Sequence, residues 1–174
     1  MSTYLESAHK EFQQYKSLGE KTIDRLNDQE ILWQYNSESN SIAIIVKHMW
    51  GNMLSRWTDF MTSDGEKPWR QREAEFDNDI KDKKELIDKW NEGWSCLFNA
   101  IHALTDEDLM KTVYIRHEAH TVVQAINRQI AHYAYHVGQI VFIGKMIRGN
   151  EWKSLSITRG GTQEFNSEMF SRKI

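Results

Sequence analysis

The segment AINRQIAHYAYHVGQIVFIGK, Ala125–Lys145, carries apolar side chains at spacings of three and four residues. This spacing is typical of a helix that turns one face toward a core, and it predicts a helix from about Thr121 to Arg148. The inward-looking face also carries polar side chains: Gln129, His132, His136 and Gln139. Buried polar groups need partners, so we expect something to satisfy this face.

Three further segments have helical periodicity, at about Thr3–Asn27, Ser41–Met61 and Asp79–Leu104. The single proline, Pro68, lies in a connection, and a short β-like run covers Thr112–Arg116. Four long helices with little strand predict an all-α, four-helix bundle.

Length and composition restrict the class of protein. The 174 residues suit one domain covering 1–174, with an irregular C-terminal tail from about residue 150. A net charge of −3 without a basic cluster argues against nucleic acid as a partner. The longest aliphatic run, Ile42–Val46, is far shorter than the ~20 residues of a membrane span. We therefore expect no membrane partner. The lone Cys96 allows no internal disulfide, so we expect a cytoplasmic protein.

His132 and His136 lie four residues apart, which places their rings on one helix face about a turn from each other. Two such imidazoles can share one metal ion at ~2.0–2.1 Å. The alternative is a pair of core histidines that hydrogen-bond to neighbouring side chains. In a chain with seven histidines such a pair often arises by chance, so spacing alone leaves both interpretations open.

His48, at the edge of the apolar stripe of the second helix, is the natural third ligand. Three histidines from two facing helices would leave a coordination position open, as catalytic metal sites do. Asn52 lies one turn further on and would either orient a ring or a bound water or be a helix-surface amide.

The segment Ala125–Lys145 and the segment IVKHMWGNMLSRW, Ile45–Trp57, resemble the DinB-like superfamily. The closer resemblance is to a branch of unknown function, DUF1572. Three more stretches match that branch: YIRHEAHTVVQAI at Tyr114–Ile126, DGEKPWRQR at Asp64–Arg72 and WKSLSITRGGTQEFN at Trp152–Asn166. The resemblance therefore covers most of the chain.

This resemblance implies a DinB-like four-helix bundle, usually a homodimer, that binds a divalent metal, most often zinc or nickel. Its three histidine ligands correspond to His48, His132 and His136. The superfamily includes transferases that use a low-molecular-weight thiol such as bacillithiol or mycothiol. The chain departs from the branch at His117, where a small residue is expected, and at Ala119 and Thr158, where proline is expected.

Several residues are candidates to surround the metal or the substrate: Asn52, His120, Arg128, Gln129, Tyr135, Gln139 and Arg159. Arg128 would bind an anionic substrate or, as we favour, pair with an acidic side chain. Tyr135 would donate a proton to a bound group, although core packing is the default for a tyrosine here. The tail around Arg159 resembles the family and is expected to fold over the mouth of the site.

The leading functional hypothesis is a metal-dependent enzyme that acts on a small molecule. A hydrolase needs a general base, but the chain has no H-E-x-x-H motif and no glutamate on the histidine face of the last long helix. This favours a thiol S-transferase acting on a small electrophile, with a hydrolase as the alternative. A non-catalytic metal-binding dimer and a helical dimer without metal are the other hypotheses.

Overall fold

The computed structural model describes residues 3–172. Between residues 3 and 172, six α-helices and one hairpin follow each other. The four long helices are α1 (Thr3–Ile23), α3 (Ile42–Trp57), α4 (Lys83–His102) and α5 (Val122–Arg148), and the short ones are α2 (Asp28–Ile31) and α6 (Thr162–Ser171). The strands β1 (Thr112–Ile115) and β2 (Glu118–Thr121) pair antiparallel, with Val113 opposite His120.

The core lies between the long helices, where α3 packs against α4 and α1 against α5. At its centre Phe12, Trp94 and Tyr133 are fully buried. The ring of Trp94 lies edge-on to Phe12 at 6.4 Å and to Tyr133 at 5.8 Å, an arrangement that stabilises aromatic pairs. Because Tyr133 is held inside, the rotation of α5 about its axis is fixed, and with it the direction of the histidine face.

Local signals in the sequence set the ends of the helices that carry the histidines. The Oγ of Ser41 accepts a hydrogen bond from the Ile44 N–H at 3.1 Å, which confirms Ser41 as the N-cap of α3. Thr121 and Gln124 form a capping box at the start of α5. Helix α5 ends at Arg148, and Gly149 is its C-cap with a φ of +50° that suits glycine. The Gly149–Asn150 pair predicted this helix end.

The connection between α3 and α4 is anchored to the hairpin. The Asp64 carboxylate accepts hydrogen bonds from the backbone N–H groups of Arg116 and His117, each at 2.8 Å. Partial burial opposes the charge on Asp64, but these bonds and one from the Glu66 N–H outweigh it and lower its pKa to about 2. A 3₁₀ turn in this connection, Glu73–Phe76, then lies against α3.

The structure changes the sequence prediction at several helix ends, in the fold class and in the tail. Helix α3 ends at Trp57 rather than near Met61, because the chain turns at Asp59, whose φ is +49°. The β-like run pairs with β2, so the protein is mostly helical rather than all-α. The tail is not wholly irregular, since residues 162–171 form α6. None of the helices between residues 3 and 172 combines the length and hydropathy of a membrane span.

Candidate metal centre

Three histidines meet between α3 and α5. His48 is buried and His132 and His136 are half-buried, and each offers a ring nitrogen within 4.8 Å of the other two. The Nε2 atoms of His132 and His136 are 3.0 Å apart. The fold therefore brings together all three predicted ligands.

The donor set fits a divalent ion. Burial and then the neighbouring histidines lower the pKa of His132 to about 3, and burial with His48 lowers that of His136 to about 4. Both rings are therefore neutral at pH 7 and have lone pairs for a metal. Two nitrogens 3.0 Å apart can both reach one ion at the ~2.0–2.1 Å usual for zinc–imidazole bonds. Neutral imidazoles suit zinc and nickel alike.

Glu75 orients His48. Its Oε2 lies 2.9 Å from the His48 Nδ1, which directs the other ring nitrogen of His48 away from the carboxylate. Arg70 holds the same carboxylate at two points, with Nε 2.7 Å from Oε1 and Nη2 2.9 Å from Oε2. Burial works against the negative charge, but the bonds from His48 and Arg70 outweigh it and keep the Glu75 pKa below its usual range. Carboxylate–histidine–metal arrangements of this kind fix the tautomer and orientation of a ligand ring.

Gly51 makes room for this carboxylate. A Cβ at residue 51 would lie 2.2 Å from the Glu75 Oε1. Phe76, next to Glu75, stacks on the His48 ring with centroids 5.4 Å apart. The 3₁₀ turn thus covers one side of His48 with a carboxylate and an aromatic ring.

Two more predicted residues contact the histidine pair. The Gln139 Oε1 lies 3.1 Å from the His136 Nδ1, which gives that ring an orienting partner as Glu75 does for His48. The Tyr135 ring centroid is 5.1 Å from that of His136, but the side chain is 64% exposed. Core packing, the default expectation for Tyr135, is therefore wrong, whereas Tyr133 is packed in the core.

Asn52 is held by a chain of hydrogen bonds from the core. The Trp57 indole N–H donates to the Tyr133 hydroxyl at 3.1 Å, and that hydroxyl donates to the Asn52 Oδ1 at 2.9 Å. Asn52 is buried, so it is not a surface amide, and its NH₂ group remains available to donate.

A cleft of about 450 Å³ opens beside the histidines. His48, Asn52, Gln129, His132 and Tyr135 line it. Five arginines also line it: Arg56, Arg70, Arg72, Arg116 and Arg128. Two buried atoms at its wall, the Gln129 Oε1 and the His132 Nδ1, have no hydrogen-bond partner within residues 3–172. The histidine cluster therefore lies beside open space rather than being sealed by packed side chains.

The family model described as "Protein of unknown function (DUF1572)" matches residues 1–161. This chain belongs to the DUF1572 family. The search of curated proteins returns no similar sequence.

The remaining predicted residues of this DUF1572 protein lie at the edge of the cleft or away from it. Arg128 lines the cleft and pairs with Glu118 at 3.6 Å, so both of its predicted roles have a geometric basis. His120 does not line the cleft, but its Nε2 lies 3.1 Å from Nη1 of Arg128. Arg159 is exposed and is not among the residues that line the cleft. The tail around Trp152 and Leu155 packs on α1 and the opposite face of α5, rather than over the site.

The residues that support His48 are not marked by any pattern in the sequence. Glu75 and Arg70 lie in a connection where neither spacing nor composition marks a site. The stretch Asp64–Arg72 did match DUF1572, which was a signal that this connection matters. Gly51 in the middle of a helix was a second signal, because glycine is disfavoured there unless something approaches closely.

Proposed function

We propose that this DUF1572 protein is a cytoplasmic, metal-dependent thiol S-transferase with a DinB-like four-helix-bundle fold. The observation that carries the proposal is the convergence of three histidines, two of which line an open cleft. A site for structure alone would be closed by a fourth protein ligand, whereas an open position is the mark of a catalytic site. His48, His132 and His136 would hold zinc or nickel. Such an ion supplies Lewis acidity that lowers the pKa of a thiol or water in the cleft.

The protein's own residues would position the reaction. Glu75 and Gln139 orient two of the ligand rings, and Asn52 presents an amide donor to the cleft. The sulfur of a small-molecule thiol, such as bacillithiol or mycothiol, would form a bond to an electrophilic carbon of the substrate. The leaving group departs with the bonding electron pair, and the thiol proton passes to solvent.

The nucleophilic sulfur would come from a cofactor rather than from the protein. Burial raises the pKa of Cys96, the only cysteine, and its sulfur contacts the Thr58 Oγ1 at 3.7 Å. A half-buried thiol with a raised pKa is a poor nucleophile. Cys96 also does not line the cleft.

The state of Glu75 favours transfer over hydrolysis. A hydrolase needs a base that can take a proton from water, and Glu75 is the carboxylate beside the histidines. It already accepts hydrogen bonds from His48 and Arg70, which keep its pKa low. A thiol whose pKa the metal lowers needs no such base.

A substrate panel tests this proposal. Zinc- and nickel-loaded protein is incubated with bacillithiol, mycothiol or no thiol, and with a chloronitrobenzene or a nitrophenyl ester. We expect thiol-dependent release of chloride that is lost in His48→Ala and kept in His102→Ala, which changes an exposed histidine at the end of α4. Ester cleavage without thiol would instead establish a hydrolase. No turnover by metal-loaded protein in any arm would refute catalysis of these reaction types.

We also propose that the protein is a homodimer. Exposed aromatic and apolar side chains of α5 and the segment after α2 line an open cavity of about 470 Å³: Trp33, Tyr35, Phe142 and Met146. Exposed apolar patches of this kind commonly mark protein interfaces. Light scattering that finds a monomer at micromolar concentration would contradict the dimer.

A further inference from the structure

The cleft lined by His48 and His132 is rich in arginine. Five of the chain's nine arginines line it, although the whole protein has a net charge of −3. No carboxylate is among the residues that line it within the described chain. Arginine presents a planar fork of donors that matches carboxylate and phosphate oxygens.

Four of these arginines have carboxylate partners. Arg70 pairs with Glu75, and Arg116 pairs with Glu66 at 3.1 Å. The other two pairs are Arg72 with Glu73 at 3.4 Å and Arg128 with Glu118 at 3.6 Å. These four ion pairs account for the positions of the four arginine side chains.

Arg56 is different. Its side chain is buried, only 4% of the residue is exposed, and within residues 3–172 it forms no salt bridge. The Glu66 carboxylate attracts it only from beyond salt-bridge distance. Its Nε and Nη1 are buried without any hydrogen-bond partner. A buried charge without a partner destabilises a folded protein, and groups left in that state are concentrated at functional sites.

The surrounding chain keeps the Arg56 guanidinium in place. A Cβ at Gly65 would lie 2.5 Å from Nη1, so glycine at this position admits the side chain. The Gly65 backbone is itself fixed, because its N–H donates to the Tyr114 carbonyl at 2.8 Å and its carbonyl accepts from the Ser55 hydroxyl at 2.8 Å. The position is built rather than accidental.

We propose that Arg56 binds the oxyanion of a small ligand, a carboxylate or a phosphate group, at the floor of this cleft. His48, Asn52 and Arg56 follow at intervals of four along α3, so they share one face of the helix. His48 and Arg56 are two turns apart, about 12 Å along the helix axis. A single ligand that reaches both ends of this distance has its oxyanion several bonds away from the atom beside the histidines. That the oxyanion and the reactive atom belong to one molecule rests on the proposed function.

Calorimetry with simple anions tests the assignment. Succinate, inorganic phosphate and the neutral succinamide are titrated into zinc-loaded protein, and metal content is measured on the same samples. We expect one or both anions to bind and succinamide not to bind. Succinate without phosphate would assign a carboxylate ligand, and phosphate without succinate would assign a phosphate ligand. If neither anion binds to folded protein, the proposal is overturned.

Two variants distinguish the contribution of Arg56 to anion binding from that of overall positive charge. Arg56→Gln should weaken anion binding by about tenfold or more, since a charge-assisted hydrogen bond is lost. Arg148→Gln removes one charge at the far end of α5 and should bind as the wild type does. If Arg56→Gln does not fold, Gly65→Ala is used instead, because its methyl group would lie 2.5 Å from the Arg56 Nη1 and must displace the guanidinium. That variant should also weaken anion binding. Unchanged binding in the folded Arg56 variant, or in Gly65→Ala where that one is used, would overturn the proposal.

The doubly substituted His132→Ala/His136→Ala protein distinguishes this inference from the proposed function. Anion binding that survives in this metal-free variant supports Arg56 as the binding group. Binding lost together with the metal would place the anion on the ion and overturn the assignment. If the wild type takes up no metal but still binds anions, the proposed function is refuted and the oxyanion site is retained.

Discussion

Glu75 determines how His48 presents its ring. Among residues 3–172, its carboxylate hydrogen-bonds to His48 and Arg70. Glu75→Gln keeps the size of the side chain but removes the charge that orients the imidazole. We expect zinc affinity to fall by about 10–100-fold, as is usual when a partner of a metal ligand is lost.

Competition with a chromophoric chelator measures this change. Glu92→Gln is the control, because Glu92 is an exposed glutamate on α4 that bonds to the Trp50 indole N–H. Equal zinc affinity in wild type and in Glu75→Gln would show that Glu75 does not support the site.

The three histidine positions and the His136 partner Gln139 could be predicted from sequence, but the partners of His48 could not. His132 and His136 share a helix, so their spacing alone places them together, and the family resemblance added His48. Glu75 and Arg70 reach the site only because Asp64 ties their connection to the hairpin, a contact between residues more than fifty positions apart. No local pattern encodes such a contact.

Replacing two glycines of the long helices by alanine should have opposite effects. A methyl group at Gly51 would displace the Glu75 carboxylate. At Gly138, by contrast, no atom of residues 3–172 lies within 4 Å of the position that a Cβ would take. Gly138→Ala should therefore stabilise α5 by about 0.5–1 kcal/mol and leave zinc binding unchanged. Gly51→Ala should weaken zinc binding, even though alanine favours the helix.

Thermal unfolding and chelator competition on the two variants check these expectations. Zinc affinity lowered by Gly138→Ala, or wild-type affinity in Gly51→Ala, would contradict the account of how α3 admits Glu75.

The turn of the hairpin is strained by its side chains. Arg116 and His117 adopt φ values of +55° and +63°, as the two central residues of a tight hairpin turn of this type do. Left-handed backbone is costly for residues other than glycine. His117→Gly should therefore raise the free energy of unfolding by about 0.5–1 kcal/mol, after glycine's own entropy cost is allowed for.

His117→Ala is the matched control for denaturant unfolding, because alanine retains the cost of positive φ. A glycine variant no more stable than the alanine variant would argue against strain at this turn. The positive φ at this position favours glycine rather than small residues in general.

The helix ends show where sequence patterns suffice. Ser41 and Gly149 were predicted as boundaries, and both act as caps. Helix α4 begins at Lys83, after the Asp82 N-cap, rather than at Asp79. Both aspartates are plausible caps, and the choice depends on tertiary contacts: Asp79 pairs with Lys47 of α3, and the Asp28 carboxylate accepts from the Lys83 N–H.

At the scale of the whole molecule, the site joins α3 to α5, which otherwise share fewer contacts than α3 and α4. Metal binding should therefore stabilise the fold. At free zinc 1,000-fold above Kd, the free energy of unfolding should rise by about 4 kcal/mol. For a chain of this size, that corresponds to a rise in Tm on the order of 10 °C. Calorimetric melting with zinc and with excess chelator measures the difference. The His132→Ala/His136→Ala protein should show no zinc-dependent shift, and an equal shift there would indicate binding elsewhere.

The most direct test of the central claim is the metal content of protein purified without a histidine tag. Mass spectrometry should find about one zinc or nickel ion per chain in the wild type and in His102→Ala, as expected for a single site with three histidine ligands. His48→Ala and His132→Ala should each contain almost none. Equal metal content in all four proteins, or none in the wild type after incubation with zinc and nickel, would contradict the site.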